Sequence, residues 1–231
     1  MRIIRSGVVT KLIAVWGASP GIGKSTLCAG LSEWLSGAGL RVDHFQEEEI
    51  LTRPQYAEVA SHFLATGEVD RDALVSATAL FADSVLAAGI DVVIADALMP
   101  YVPSLLAMGH SEQAITPFMA DLGDILAPLR PVMIFLDGDA RAALPRAAAR
   151  EEPGWLEWYI GKLAGYGVQP EVHDSASAAE YLRRERAMTL SVVSRQNWDL
   201  ILIENAIELT PDQVLYAAQQ GLKPWMDNAS T

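Results

Sequence analysis

Cysteine is almost missing from this chain. Its 231 residues include one, Cys28, so no disulfide can form within the chain; the expectation is a cytoplasmic compartment, with Cys28 as a small packing residue. Histidine is scarce too: His44, His62, His110 and His173 are scattered, and none has metal-ligand spacing, which makes them structural or surface residues by default. Basic residues number 17 against 29 acidic ones, a net charge of −12. That field repels nucleic acid and anionic membranes, so neither is expected as a partner. No apolar run is long enough to cross a bilayer. The run after Arg2, Arg5 and Lys11 is only a few residues long and leads into a glycine-rich loop, so a signal peptide is not expected there. Internal repeats, low-complexity blocks and linkers are lacking, as is an Asn-Lys-x-Asp motif for selecting guanine.

What is present suits a packed globular chain: 51% hydrophobic and 20% charged residues. The most informative stretch is Val15-Trp-Gly-Ala-Ser-Pro-Gly-Ile-Gly-Lys-Ser-Thr26. From Ala18 through Ser19, Pro20, Gly21, Ile22, Gly23, Lys24, Ser25 and Thr26 it fits a phosphate-binding loop, with alanine in the usual first glycine position. Glycine lets the backbone curl so that successive N–H groups face phosphate oxygens. In this pattern the lysine reaches the outer phosphates and the serine hydroxyl ligates Mg²⁺. The flanks match as well. Lys11 to Val15 reads as a buried strand, and Leu27, Leu31, Trp34, Leu35 and Ala38 recur at helical spacing. The helix N-terminus adds its partial positive charge to the same anion site. An ordinary glycine-rich turn is the alternative; its setting between strand and helix favours a nucleoside triphosphate, ATP, as ligand.

Strand and helix patterns alternate along the rest of the chain. Strands are expected at 41–45, 91–95, 131–136 and 199–203. Helices are expected at 55–64, 70–88, 102–108, 112–127, 140–150, on to about 195, and at 211–220, with a loose tail from Lys223 to Thr231. The fold class is therefore α/β, three-layered, with about five parallel strands and helices on both faces, in a single domain spanning 1–231. In such sheets ligands gather at the carboxyl ends of the strands.

Those ends carry polar groups. The second strand ends at Gln46-Glu-Glu-Glu49, the third at Asp96, the fourth at Asp137-Gly-Asp139 and the fifth at Glu204-Asn205. Carboxylates beside a triphosphate either hold Mg²⁺ or accept a proton from an attacking hydroxyl. Asp96 is the first candidate for metal or base. One of Glu47, Glu48 and Glu49 is the second, strand alternation placing Glu47 and Glu49 on one side; a solvated acidic turn is the alternative. After the fourth strand, Arg141, Arg146 and Arg150 lie in an alanine-rich segment, with Arg146 and Arg150 on one helical face. Their forked donors suit phosphate oxygens, so residues 138–154 are read as a helical lid closing over the transferred group, against the alternative of a surface helix paired with Glu151 and Glu152. The cluster Arg183-Arg184-Glu185-Arg186 is expected to face solvent.

With these residues in place the chain resembles the nucleotide and nucleoside kinase branch of phosphate-loop proteins, especially the thymidylate kinase-like group. The resemblance implies an ATP site at Ala18 to Thr26, a base among Glu47 to Glu49, an acidic third-strand end at Asp96, a lid bearing Arg141, Arg146 and Arg150, and adenine contact at Asn205 to Ile207. Where thymidylate kinases follow the third-strand aspartate with arginine, this chain has Ala97-Leu-Met-Pro100. The acceptor is therefore open between a nucleoside, a nucleotide and a natural-product alcohol, in a pocket drawn from Leu51, Phe63, Leu98, Met99, Pro100 and Tyr101. The competing reading is a nucleotide-dependent switch or assembly ATPase without an acceptor; such motors carry glutamate after the Mg²⁺ aspartate, where this chain has Ala97. Oligomeric state stays open, a homodimer included.

Overall fold

The computed structural model describes residues 10–17, 19–96, 101–168 and 171–227. In chain order the elements are β1 (Lys11–Gly17), α1 (Lys24–Gly37), β2 (Val42–Phe45), α2 (Ala57–Thr66), α3 (Arg71–Ala88), β3 (Val92–Ala95), α4 (Tyr101–Ala107) and α5 (Glu112–Leu126). There follow β4 (Val132–Leu136), α6 (Ala140–Arg150), α7 (Trp155–Gly165), α8 (Ser175–Val193), β5 (Asp199–Ile203) and α9 (Pro211–Asp227). The strands form one parallel sheet in the order β2-β3-β1-β4-β5.

β1, β3 and β4 are buried along their whole lengths, as continuous apolar runs demand when helices cover both faces. The pleat divides them between two layers. Leu12, Ala14 and Trp16 join α3 and α5 on one face, while Ile13 and Val15 join α1 and α9 on the other. Beside the sheet, α6, α7 and α8 close a third apolar cluster through Leu144, Leu163 and Leu182. Local chemistry sets several boundaries. Asp70 caps α3 by accepting from the Asp72 and Ala73 N–H groups, and Asp139 caps α6 by accepting from the Arg141 N–H at 2.9 Å.

The chain leaving β1 runs to one side to form β2, and the chain leaving β4 runs to the other to form β5. This reversal puts the crevice of an open parallel sheet between the carboxyl ends of β1 and β4.

One boundary differs from the sequence expectation. The last helix does not stop at Gln220 but continues through Asp227, and residues 228–231 lie outside the described residues. The cause lies in β1. The Lys11 ammonium, buried in the sheet, donates to the Trp225 and Met226 carbonyl oxygens at 2.9 Å each and sits 4.7 Å from the Trp225 ring centroid. A cation on the last-turn carbonyls caps the helix end and complements its dipole.

Among the described residues no helix is long and apolar enough to cross a membrane.

Candidate functional site

The turn after β1 owes its shape to two backbone positions. Gly21 (φ 79°) and Gly23 (φ 107°) both occupy the left-handed region that residues with a Cβ avoid. Gly21 is also pressed by α6: a Cβ there would lie 2.5 Å from the Ala143 carbonyl oxygen and 2.9 Å from the Ala147 nitrogen. Ile22 turns inward and is buried in the core with Leu27 and Leu136, so the loop is anchored from below. Gly23 stands at the N-cap of α1 with no side chain to accept the first N–H groups, which leaves them for another acceptor. Ser19 is buried, and its Oγ finds no hydrogen-bond partner among the described residues. Ala18 lies outside the described residues.

Two cavities meet beside this loop. The first, about 310 Å³, runs from Ser19, Pro20, Gly21 and Lys24 to Arg150, Tyr159 and Glu185. The second, about 810 Å³, is walled by Leu51, Val59, Phe63, Val69 and Leu74. Five residues border both: Ser25, Glu47, Asp96, Ser104 and Lys162. The loop cleft and the larger chamber therefore share a polar junction at the end of β3.

Asp96 is the buried member of that junction, 4% exposed, and its Oδ1 has no hydrogen-bond partner among the described residues. Burial raises its pKa above the usual carboxylate range and Glu47 adds to the shift, while His44 and Lys24 oppose it. The His44 Nε2 is likewise buried and unpartnered among the described residues. Cys28, His44 and Asp96 each offer a ligand atom within 4.8 Å of the others. Burial pushes the Cys28 thiol up, holding it in its neutral form. Histidine spacing alone hides this group. It assembles only because β2 pairs with β3, setting His44 opposite Ile94 two residues before Asp96, with α1 lying across that face.

The acidic run after β2 departs from the sequence expectation. Strand alternation does not reach it, because β2 ends at Phe45 and Glu47–Leu51 forms a 3₁₀ turn. Gln46 and Glu49 close a reciprocal cap, the Gln46 N–H donating to Glu49 Oε2 at 3.0 Å, and this ends the strand. Glu47 opens onto both cavities and Glu48 onto the larger one. Glu49 is committed elsewhere: it accepts from Arg53 Nη2 at 2.8 Å, while the same guanidinium forks onto Asp43 at 2.7 and 2.8 Å and stacks 4.3 Å from the Phe45 centroid. It is a structural partner of Arg53, not a companion of Glu47.

The segment expected as a lid is helix α6, seated on the loop through Ala143 and Ala147. Its arginines go to three places. Arg150 borders the loop cleft and pairs with Glu151. Arg146 borders a small hollow with Gly23, Thr26, Ala206 and Leu209. Arg141 and Asn205 border a further cavity of about 440 Å³ with Asp137 and Arg186. Asp139 is spent as the α6 cap, and Asp137 holds Arg186 in a two-pronged ion pair.

The expectation that residues 183–186 face solvent holds for Arg183 and Arg184 alone. Arg186 is drawn inward by Asp137, and Glu185 faces the loop cleft. Burial pushes the Glu185 carboxyl up to about 7, against the opposing pull of the Tyr181 hydroxyl and Lys24. Of the expected acceptor pocket, Leu51, Phe63 and Tyr101 do line the larger cavity, and Leu98, Met99 and Pro100 lie outside the described residues. Sequence reasoning missed His44, Lys162 and Glu185. Nothing local marks Lys162, which sits on α7 with its ammonium 5.3 Å from the Trp158 ring.

No protein-family model matches the chain, and no curated protein matches it in sequence.

Proposed function

We propose that the chain is an ATP-dependent small-molecule kinase of the phosphate-loop, thymidylate kinase-like kind, moving the γ-phosphoryl group of ATP to an acceptor in the larger cavity. The observation that carries this reading is the shared junction: a glycine-curled loop with Lys24 on one side, an acceptor-sized chamber on the other, and Ser25, Glu47, Asp96 and Lys162 between them. A switch or assembly ATPase that hydrolyses without an acceptor needs no second chamber. The cytoplasm, where ATP is plentiful, is the compartment this reading implies.

The residues present suit a hard cation. The Asp96 Oδ1 is a buried acceptor in want of a partner, and the Ser25 hydroxyl borders the same junction. Mg²⁺ held by these two would offset charge on the β- and γ-phosphates. Lys24 reaches the same oxygens, and Lys162 closes the junction from α7. Arg150 lies at the rim of the cleft, where charge spreads over the transferring group. Glu47 opens onto both chambers and takes the proton of the attacking hydroxyl, a contribution of roughly a hundred- to ten-thousandfold in rate. Thr26, Arg146 and Asn205 lie on the side of the loop toward β5, where the nucleoside end of ATP would extend.

Titration calorimetry with MgATP tests the proposal. One molecule is taken up by the native chain, and Lys24→Ala loses that uptake with an unchanged circular dichroism spectrum. No uptake by the native chain overturns the reading.

A further inference from the structure

We infer that the larger cavity accepts an uncharged alcohol with an apolar body and rejects acceptors that carry a phosphate. The inference rests on the kinase reading and narrows the acceptor that reading leaves open.

The first argument is charge. Among the described residues lining the chamber, the carboxylates are Glu47, Glu48 and Asp96, and the basic side chains are His44 and Lys162. Lys162 belongs equally to the loop cleft, where a triphosphate would engage it. Of the carboxylate, lysine and arginine residues described, Glu48 alone lines the chamber and not the loop cleft, so a phosphate there would face a carboxylate with no lysine or arginine of its own. A site built to recognise phosphate supplies forked guanidinium donors or helix N-termini. The arginine nearest in sequence, Arg53, supplies nothing: all three of its guanidinium nitrogens donate to Asp43 or Glu49. Those two carboxylates fix it against Phe45 and Phe81, and Arg53 is not among the residues lining the chamber.

The second argument is the distribution of polar groups. The walls away from the junction are apolar: Ile50, Leu51, Val59, Phe63, Val69 and Leu74. Ser25, Glu47, Asp96, Ser104 and Lys162 gather at the junction, and His44, beside Asp96, has a buried Nε2 with no hydrogen-bond partner among the described residues. Orphaned polar atoms in a buried site are satisfied when the right ligand arrives. A hydroxyl oxygen meets that need while the carbon skeleton fills the apolar end. A small polar metabolite would instead leave the apolar walls wet.

The transfer then runs as follows. The acceptor oxygen bonds to the γ-phosphorus of ATP as the bond from that phosphorus to the β–γ bridging oxygen breaks. The bridging oxygen keeps the electron pair and leaves on ADP, and the hydroxyl proton passes to Glu47. The products are ADP and a phosphate monoester. Its new charge sets it against Glu48, which favours its release.

The test uses the full chain with ω-phenylalkanols of two to six methylenes, each paired with its own phosphate monoester. Binding is measured by calorimetry in the presence of a non-hydrolysable ATP analogue with Mg²⁺, and transfer by release of ADP. The alcohols are expected to bind with affinity rising along the series, to stimulate ADP release, and to exceed their monoesters by about a hundredfold. Glu48→Arg supplies the missing cation at an exposed position of the chamber wall and is expected to improve monoester binding about tenfold without changing uptake of the ATP analogue. Uptake of the ATP analogue with monoesters bound as well as or better than the alcohols, or with neither bound, overturns the acceptor class while leaving the kinase reading intact. No uptake of the ATP analogue removes the kinase reading, and this inference with it.

Discussion

Glu185 of α8 and Lys24 border the same cleft, and no salt bridge joins the carboxyl to the ammonium. The carboxyl is pushed up to about 7 from an ordinary value of 4.5, burial being the main cause. The sign of the linkage follows. Between those two values the folded chain holds a proton that the unfolded chain has lost, so stability falls as pH rises from 4.5 to 7 and levels off above 7. Glu185→Gln is expected to remove that slope and to stabilise the protein at pH 8 by about 2 kcal/mol, after discounting for its partial exposure. Urea titrations of both proteins at pH 5 and pH 8 check it; equal slopes would sink the assignment. On the kinase reading, ATP phosphates at Lys24 would add negative charge beside Glu185, so nucleotide binding near pH 7 is expected to take up protons, seen as a binding enthalpy that varies with buffer ionisation heat and becomes invariant in Glu185→Gln.

Asp96 obeys the same sign. Its folded pKa lies above its unfolded one, so its charge opposes folding at neutral pH. Asp96→Asn keeps the shape and removes the charge. The melting temperature at pH 7.5 is expected to rise, and phosphoryl transfer to fall at least about a hundredfold. A drop in both would make Asp96 a structural residue instead.

Lys11 offers a purely structural test. Its ammonium reaches the Trp225 and Met226 carbonyls from the centre of the sheet. Lys11→Met keeps much of the volume and strips both charge-assisted bonds, at a cost of about 1–3 kcal/mol. Hydrogen exchange is expected to quicken in the last turn of α9 above all, with MgATP affinity unchanged because Lys11 does not line the loop cleft.

What the sequence revealed and what it hid follow one physical division. Contiguous patterns translated directly: the apolar runs became β1, β3 and β4, and the loop from Ser19 to Ser25 sits where β1 hands over to α1. The helices expected at 70–88 and 112–127 do begin there, at caps that the structure shows to be the Asp70 and Ser111 side chains. Groups assembled from distant segments stayed hidden. His44 meets Asp96 only through the pairing of β2 with β3, and Asp137 claims Arg186 from 49 positions away. Lys162 and Glu185 reach the cleft only after α7 and α8 fold back over it. The acidic run departs from strand alternation for a local reason: Gln46 and Glu49 stand three apart, the spacing of a reciprocal cap, and the strand ends at Phe45.

On the kinase reading the arginines of α6 would divide the work that the sequence assigned to them jointly, and kinetics separates their shares. Arg150 borders the loop cleft at its outer end, while Arg146 borders the hollow beside Thr26 and Ala206. Both are exposed on a helix whose buried side is Ala143, Leu144 and Ala147, so truncation of either leaves the packing of α6 untouched. Surface changes of that kind stay within about 0.5 kcal/mol of the native stability. Arg150→Ala is expected to lower kcat about a hundredfold or more with little change in the KM for ATP, because charge on the transferring group is greatest in the transition state. Arg146→Ala is expected to raise the KM for ATP about tenfold at nearly constant kcat, since contact with the nucleoside end is the same before and during transfer. The two variants reverse if α6 shifts along the loop when nucleotide binds. They lose stability together with activity if the arginines serve only to solvate the helix, and parallel melting curves and Michaelis profiles tell these outcomes apart.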